Sequence, residues 1–322
     1  MSYETTMKTY RAIYDHLKKE MKWKAVDNRV LMTIAATYAM HDKSFQYERF
    51  YSIAEAIQKQ AGLFSYLKSS LRYTIAVTID LNFEQPLEKV PELFNVYDDL
   101  INHKFKRDSF TYISAAILLT NVADATETIH QAKSIYETMR KEHPFLTSSS
   151  DYPLAVLLAL EAEDAYERTE IFYQKLNQNG FSRGNDLQLL SHILSLDSEK
   201  DVHELISQTT LIYDAFKEIG IRRKTTYYPI MGMLALIPSA HLDIQAVRQI
   251  YDKLNKQKPF RWQKDLNFML AASFFISEHM EESNVAEVSL FTTLEAALQV
   301  QQAILISSVV AASASSSNNG SN

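Results

Sequence analysis

The sequence predicts an all-α protein: about seven stacked helical hairpins of about 40 residues, an α-solenoid-like or curved α/α array, plus a C-terminal helix. Three observations carry this. Only 6 Gly and 7 Pro occur in 322 residues, too few for a β protein that needs a turn residue at every hairpin. One phrase, an apolar residue followed by Tyr, recurs at a nearly constant interval. Between its copies lie segments that are apolar nearly all round, as expected of helices covered on both sides.

In chain order the copies are Ile13-Tyr14, Val96-Tyr97, Ile135-Tyr136, Phe172-Tyr173, Ile212-Tyr213 and Ile250-Tyr251. From Tyr97 onward the steps are 39, 37, 40 and 38 residues. The 83 residues between Tyr14 and Tyr97 leave room for a degenerate copy near Ile57, with Phe64 after it. Eight or nine positions after each Tyr stands Trp23, Phe105, Phe145, Phe181, Ile221 or Phe260. That is two to two and a half turns on, where an apolar side chain staples the chain as its helix ends.

Three of the Tyr helices open alike, with Asp124 and Glu127, Asp164 and Glu167, and Asp201 and Glu204. Asp at N-cap with Glu at N3 resembles the capping box. Asp243 opens a fourth helix but is followed by Ala246 at the Glu position. The apolar inner helices are expected over Ser109–Asn121, Tyr152–Glu161, Asp186–Leu196, Thr225–Leu236 and Gln263–Ile276. Such hairpins cannot bury their own faces and must stack. The array is expected over 1–282 and a C-terminal capping helix over 283–312. The Ser/Asn tail 313–322 is expected to be disordered.

The tyrosine-anchored pairs, the Gly62-Leu63-Phe64 segment before the apolar Thr74–Leu81 run, and the Gln-rich last helix ending in a Ser/Asn tail resemble an uncharacterised family. That family comprises all-helical cytoplasmic proteins from Gram-positive bacteria and is a domain of unknown function. The resemblance covers most of the chain and implies the helical fold without implying an activity.

Composition narrows the functions. A net charge of -6 offers no broad attraction for nucleic acid or anionic membrane, and no stretch is long and apolar enough to span a bilayer. Zero Cys removes disulfides, thiolate metal sites and cysteine nucleophiles. The polar start, Met1-Ser2-Tyr3-Glu4, lacks a secretory signal pattern, so a cytoplasmic location is expected.

No catalytic, cofactor-binding or metal-ligating residue is assigned and no cofactor is expected, because zinc, nucleotide and nucleophile signatures are missing. The nearest metal-like groupings, His41-Asp42 and Glu278-His279 with Glu281 and Glu282, read as solvated acidic surface. Neighbouring helical residues such as Glu278 and His279 point about 100° apart. Gly180 to Gly184 superficially suggests a phosphate loop, but Gly180 falls where a helix C-cap belongs.

The most suggestive pattern is positional. Cations collect after the Tyr helices, and the candidate ligand or partner rim is Lys104, Lys106, Arg107, Arg140, Lys141, Arg222, Arg223, Lys224, Lys258 and Arg261. Complementarity to the helix macrodipole explains such placement without any ligand. Packing between helices similarly explains the recurrent tyrosines. The leading expectation is a non-enzymatic helical-repeat protein that binds a peptide, protein or acidic ligand. The alternative is an enzyme or small-ligand binder with a site at the centre of a curved array. Nucleic-acid binding along the rim ranks third, and no membrane partner is expected.

Overall fold

The computed structural model describes residues 2–41, 43–160, 165–197, 199–279, 292–294 and 296–300. Among them there is no strand, and fourteen α-helices form seven consecutive pairs. The first three pairs are α1 (Tyr3–Glu20) with α2 (Asn28–Met40), α3 (Tyr47–Gln60) with α4 (Leu71–Asn82), and α5 (Pro86–Asn102) with α6 (Ser109–Asn121). Then come α7 (Thr126–Glu142) with α8 (Tyr152–Ala159) and α9 (Ala165–Gln178) with α10 (Asn185–Ser195). The last are α11 (Val202–Glu218) with α12 (Tyr228–Leu236) and α13 (Ile244–Lys256) with α14 (Lys264–His279).

The described residues fall into two compact units. One holds residues 10–129 and 296–300; the other holds 2–9, 130–279 and 292–294. Each is a two-layered array. In the first unit α4 packs on α2 and α6, while α3 packs on α5. In the second α10 packs on α8 and α12, and α12 on α14, while α11 packs on α9 and α13. Inner helices thus lie on inner ones and outer on outer.

Composition explains the layering. Every residue of α12 and eleven consecutive residues of α2, Val30 to Met40, are buried. Each buried large apolar side chain is worth about 1.5–3 kcal/mol. The outer α13 buries only Val247, Ile250 and Leu254, one stripe of a 3.6-residue helix.

Helix ends are set by short-range chemistry. Asp201 accepts from the amides of His203 and Glu204, and Asp243 from those of Gln245 and Ala246, so an Asp cap works without a Glu partner. Asp124 accepts from Thr126, while Asp164 lies outside the described residues. A reciprocal capping box occurs instead at Ser148 and Asp151, ahead of the inner α8.

Helices α5, α9 and α11 close by one device. Lys104, Gly180 and Gly220 take positive φ of 68°, 91° and 72°. The next residue's amide then donates to the carbonyl of Leu100, Leu176 or Phe216, which is the Schellman arrangement. It turns Phe105, Phe181 and Ile221 inward, each under 10% exposed. Phe260 is buried as well.

Two expected staples, Trp23 and Phe145, are not staples, and Phe64 after the degenerate copy is exposed as well. Trp23 is 87% exposed, Phe64 94% and Phe145 98%. Their helices end without that turn: Ala61 leaves α3 extended, and the chain after α7 runs on through His143 before it bends. Met21, Ala61 and Leu67 take the buried places instead.

Residues 292–294 and 296–300 are helical, and Gln299 donates to the Thr78 hydroxyl at 2.7 Å. The rest of the expected capping helix and the whole Ser/Asn tail lie outside the described residues.

Candidate functional site

At four of the junctions, where an outer helix hands over to its inner partner, the same chemistry recurs. In α5, α7, α11 and α13 the outer tyrosine ring packs on an aromatic near the start of the following inner helix, whereas Tyr173 of α9 packs on His143. Tyr97 stacks on Tyr112 with centroids 3.8 Å apart, and Tyr136 meets Tyr152 edge-on at 4.7 Å. Phe181 lies between Tyr213 and Tyr228, 4.6 and 5.1 Å from each, and Tyr251 meets Phe268 at 5.7 Å. In the first pair Tyr14 donates to Asn28 instead. Burial, reinforced by the neighbouring Tyr152, pushes the Tyr136 phenol up to about 12.

The inner aromatics Tyr112, Tyr152, Tyr228 and Phe268 were not singled out from the sequence. Their signal is an aromatic 15 to 17 positions after Tyr97, Tyr136, Tyr213 and Tyr251, which Tyr14 and Tyr173 lack. It is hidden because inner helices are apolar throughout.

In the second unit, hydrogen bonds tie successive junctions side by side. Asn185 donates to Asp151 at 3.1 Å and to Ser150 at 3.2 Å, and the Ser182 amide donates to the Tyr228 hydroxyl at 3.0 Å. Asp186 bonds the Thr225 side chain. Lys224 and Tyr227 donate to Asp265 at 2.6 Å each. Burial pushes the Asp151 carboxyl up to about 7, against the lowering pull of the Ser148 amide. Burial also acts to raise Asp265, but the Lys224 and Tyr227 bonds outweigh it and hold that carboxyl below the usual range.

The rim cations lie at these junctions. Arg140 and Lys141 occupy the last turn of α7, Arg222 and Arg223 follow α11, and Lys258 and Arg261 lie between α13 and α14, all exposed. Lys224 is half-buried. Lys104, Lys106 and Arg107 are exposed between α5 and α6, in the other unit.

Among the described residues, cations of the second unit are held by separate partners. Arg223 is held by Asp214 at 3.0 Å and lies over the Tyr213 ring at 4.3 Å. Lys224 is paired with Asp265, towards which Arg222 adds its charge. Arg261 lies 4.8 Å over Trp262, which is 77% exposed. In the other unit Lys22 is similarly 5.0 Å from exposed Trp23.

A second constellation sits at the end of α7. Glu142, His143 and Glu170 bring one ligand atom each to within 4.8 Å of one another. The groupings noted in the sequence behave otherwise. Glu278 accepts from the Tyr3 amide at 3.0 Å, and His279 Nδ1 faces the Phe275 carbonyl at 2.8 Å. Asp42, Glu281 and Glu282 lie outside the described residues.

No solved structure matches this chain. It is 37% identical over 310 residues to "Uncharacterized protein YeaA" of Bacillus subtilis (strain 168), covering 94% of each chain. Residues 13–303 match the family described as "Protein of unknown function (DUF4003)". Neither description states an activity. With that span and that relative in a Gram-positive organism, the chain belongs to the DUF4003 family.

Proposed function

We propose that this protein is a non-enzymatic, cytoplasmic helical-repeat interaction protein that takes an acidic peptide or protein segment at its outer-to-inner junctions. The observation that carries the reading is the pairing of an exposed indole with a cation in each unit, Trp23 beside Lys22 and Trp262 beside Arg261. Complementarity to the helix dipole accounts for cations at helix C-termini. It gives no reason to leave indoles 87% and 77% in water. Tryptophan and arginine are the side chains that most often anchor protein interfaces, and a cation against an aromatic face recognises both carboxylate and apolar groups. The attraction is local, because fields beyond about 10 Å are screened at 0.1 M salt and the whole chain is acidic.

Both tryptophans of the chain are these two, so intrinsic fluorescence reads the junctions directly. Titration with poly-L-glutamate at low ionic strength is expected to give a saturable fluorescence change that weakens as salt rises. In the Lys258→Glu/Arg261→Glu variant, carrying Trp23→Phe to isolate Trp262, affinity is expected to fall about tenfold or more, the equivalent of about 1.4 kcal/mol. A flat titration, or a response that the charge reversal leaves unchanged, would sink the reading.

A further inference from the structure

Where the end of α7 meets α9, three side chains come together that the capping of α8 does not use. Glu142 is the last residue of α7, and His143 stands one position beyond it. Neighbours inside a helix diverge by about 100°, but His143 stands just past the last residue of α7, and one of its ring nitrogens lies within 4.8 Å of a Glu142 carboxylate oxygen. Glu170, from α9, completes the group: His143 Nε2 is 3.2 Å from Glu170 Oε1. The His143 and Glu170 side chains are only 18% and 17% exposed.

The surroundings favour a cation. Among the described residues no Lys or Arg pairs with either carboxylate, so the only compensating group is a weakly basic imidazole. Tyr166 donates to Glu142 at 2.7 Å. Burial, with the hydrogen bonds to Glu142 and Glu170, pushes its phenol up, which keeps it a neutral donor. The His143 ring is fixed against Tyr173, with centroids 4.9 Å apart. Outer partners of this kind orient ligands in metal sites.

We infer that Glu142, His143 and Glu170 form a site for a divalent first-row transition cation, with Zn²⁺ as its reference occupant. One imidazole nitrogen and two carboxylate oxygens are a mixed, borderline-hard donor set that suits such ions better than Ca²⁺ or Mg²⁺. Tetrahedral zinc with bonds of about 2.0–2.2 Å separates its ligand atoms by about 3.4 Å. The histidine and Glu170 atoms already stand near that separation, and Glu142 closes the remainder by side-chain rotation. Three protein ligands leave the fourth position to water.

The experiment uses the full chain after treatment with a chelator. Zn²⁺ affinity is measured by competition with a chromophoric chelator, and Co²⁺ is added separately to record its visible absorption. One metal ion per chain is expected, with tetrahedral Co²⁺ bands. His143→Gln and Glu170→Gln are each expected to weaken binding about a hundredfold, and Tyr166→Phe, which keeps all three ligand atoms, about tenfold. Circular dichroism identifies variants that remain folded, and a zinc-dependent rise in melting temperature in the wild type alone gives a second readout. Wild-type protein that binds neither ion below about 1 mM, a free energy under about 4.1 kcal/mol, would show that the three groups form a plain ion pair. Binding that survives both glutamine substitutions would equally overturn the site.

Discussion

Arg49→Met is expected to lower stability by about 3 kcal/mol in chemical denaturation, through the loss of one partner from a buried ion pair. Asp80 lies in the apolar inner helix α4 with its side chain 4% exposed. It accepts from the Tyr38 hydroxyl of α2 and from Arg49 of α3, both at 2.5 Å. Lys43 donates to the backbone carbonyls of Asp80 and Leu81, and Arg49 to that of Phe83. One carboxylate therefore locks two inner helices and the start of an outer one.

Removing Arg49 strands that charge in a site closed to water. The cost sits at the low end for buried pairs because a third of the Arg49 side chain stays in solvent. Tyr38→Phe removes one hydrogen bond and leaves the pair, and is expected to cost about 1–2 kcal/mol. A loss below about 1 kcal/mol for Arg49→Met, typical of an exposed pair, would show that Asp80 finds other compensation.

The second large effect is a pair of opposed pH dependences. His192, in the middle of α10, is fully buried, and among the described residues neither ring nitrogen has a hydrogen-bond partner. Burial disfavours the imidazolium and drives the group down to about 3 from 6.5. The unfolded chain then binds the extra proton, so stability complete above pH 6.5 is lost as pH falls towards 3, by about 1.4 kcal/mol per unit. Asp151 runs the other way. Its group rises from 3.8 to about 7, so stability present below pH 3.8 is lost as pH rises towards 7, at the same limiting slope.

Between about pH 4 and 6.5 the two slopes cancel. His192→Leu is expected to expose the falling slope and Asp151→Asn the rising one. The asparagine keeps an acceptor for the Ser148 and Asn185 bonds. Denaturant midpoints of both variants across that range, taken as differences from wild type, check this. Differences independent of pH would mean that neither group is desolvated as described.

The paired helices were legible because burial on two sides leaves a mark on every residue. The inner helix expected over Ser109–Asn121 has those bounds, and the one expected over Gln263–Ile276 differs only at its ends. Staples were less legible. Whether the residue eight or nine places after a tyrosine turns inward depends on the backbone between them, and only Lys104, Gly180 and Gly220 make the required turn in these closures. Spacing alone could not separate Phe181 from Phe145.

The Asp80 lock was invisible for a different reason. Its partners lie 31 and 42 positions away, and nothing local marks Tyr38 or Arg49 as theirs. The Glu142, His143 and Glu170 group joins residues 27 positions apart, and neighbouring residues inside a helix diverge by about 100°. That holds for Glu278 and His279 and fails one residue past the end of α7. Among the rim cations, position was legible but pairing was not. Asp214 and Asp265 neutralise Arg223 and Lys224 through contacts that only folding creates.

The layered array of helical pairs is tested most directly by amide hydrogen exchange followed by mass spectrometry. Local exchange reports how far each segment must open before water reaches its amides. Helices α2, α4, α6, α10, α12 and α14 are expected to exchange last, with the solvent-facing amides of α5, α11 and α13 ahead of them. Outer helices that exchange as slowly as the inner ones, or inner helices that exchange first, would contradict that array.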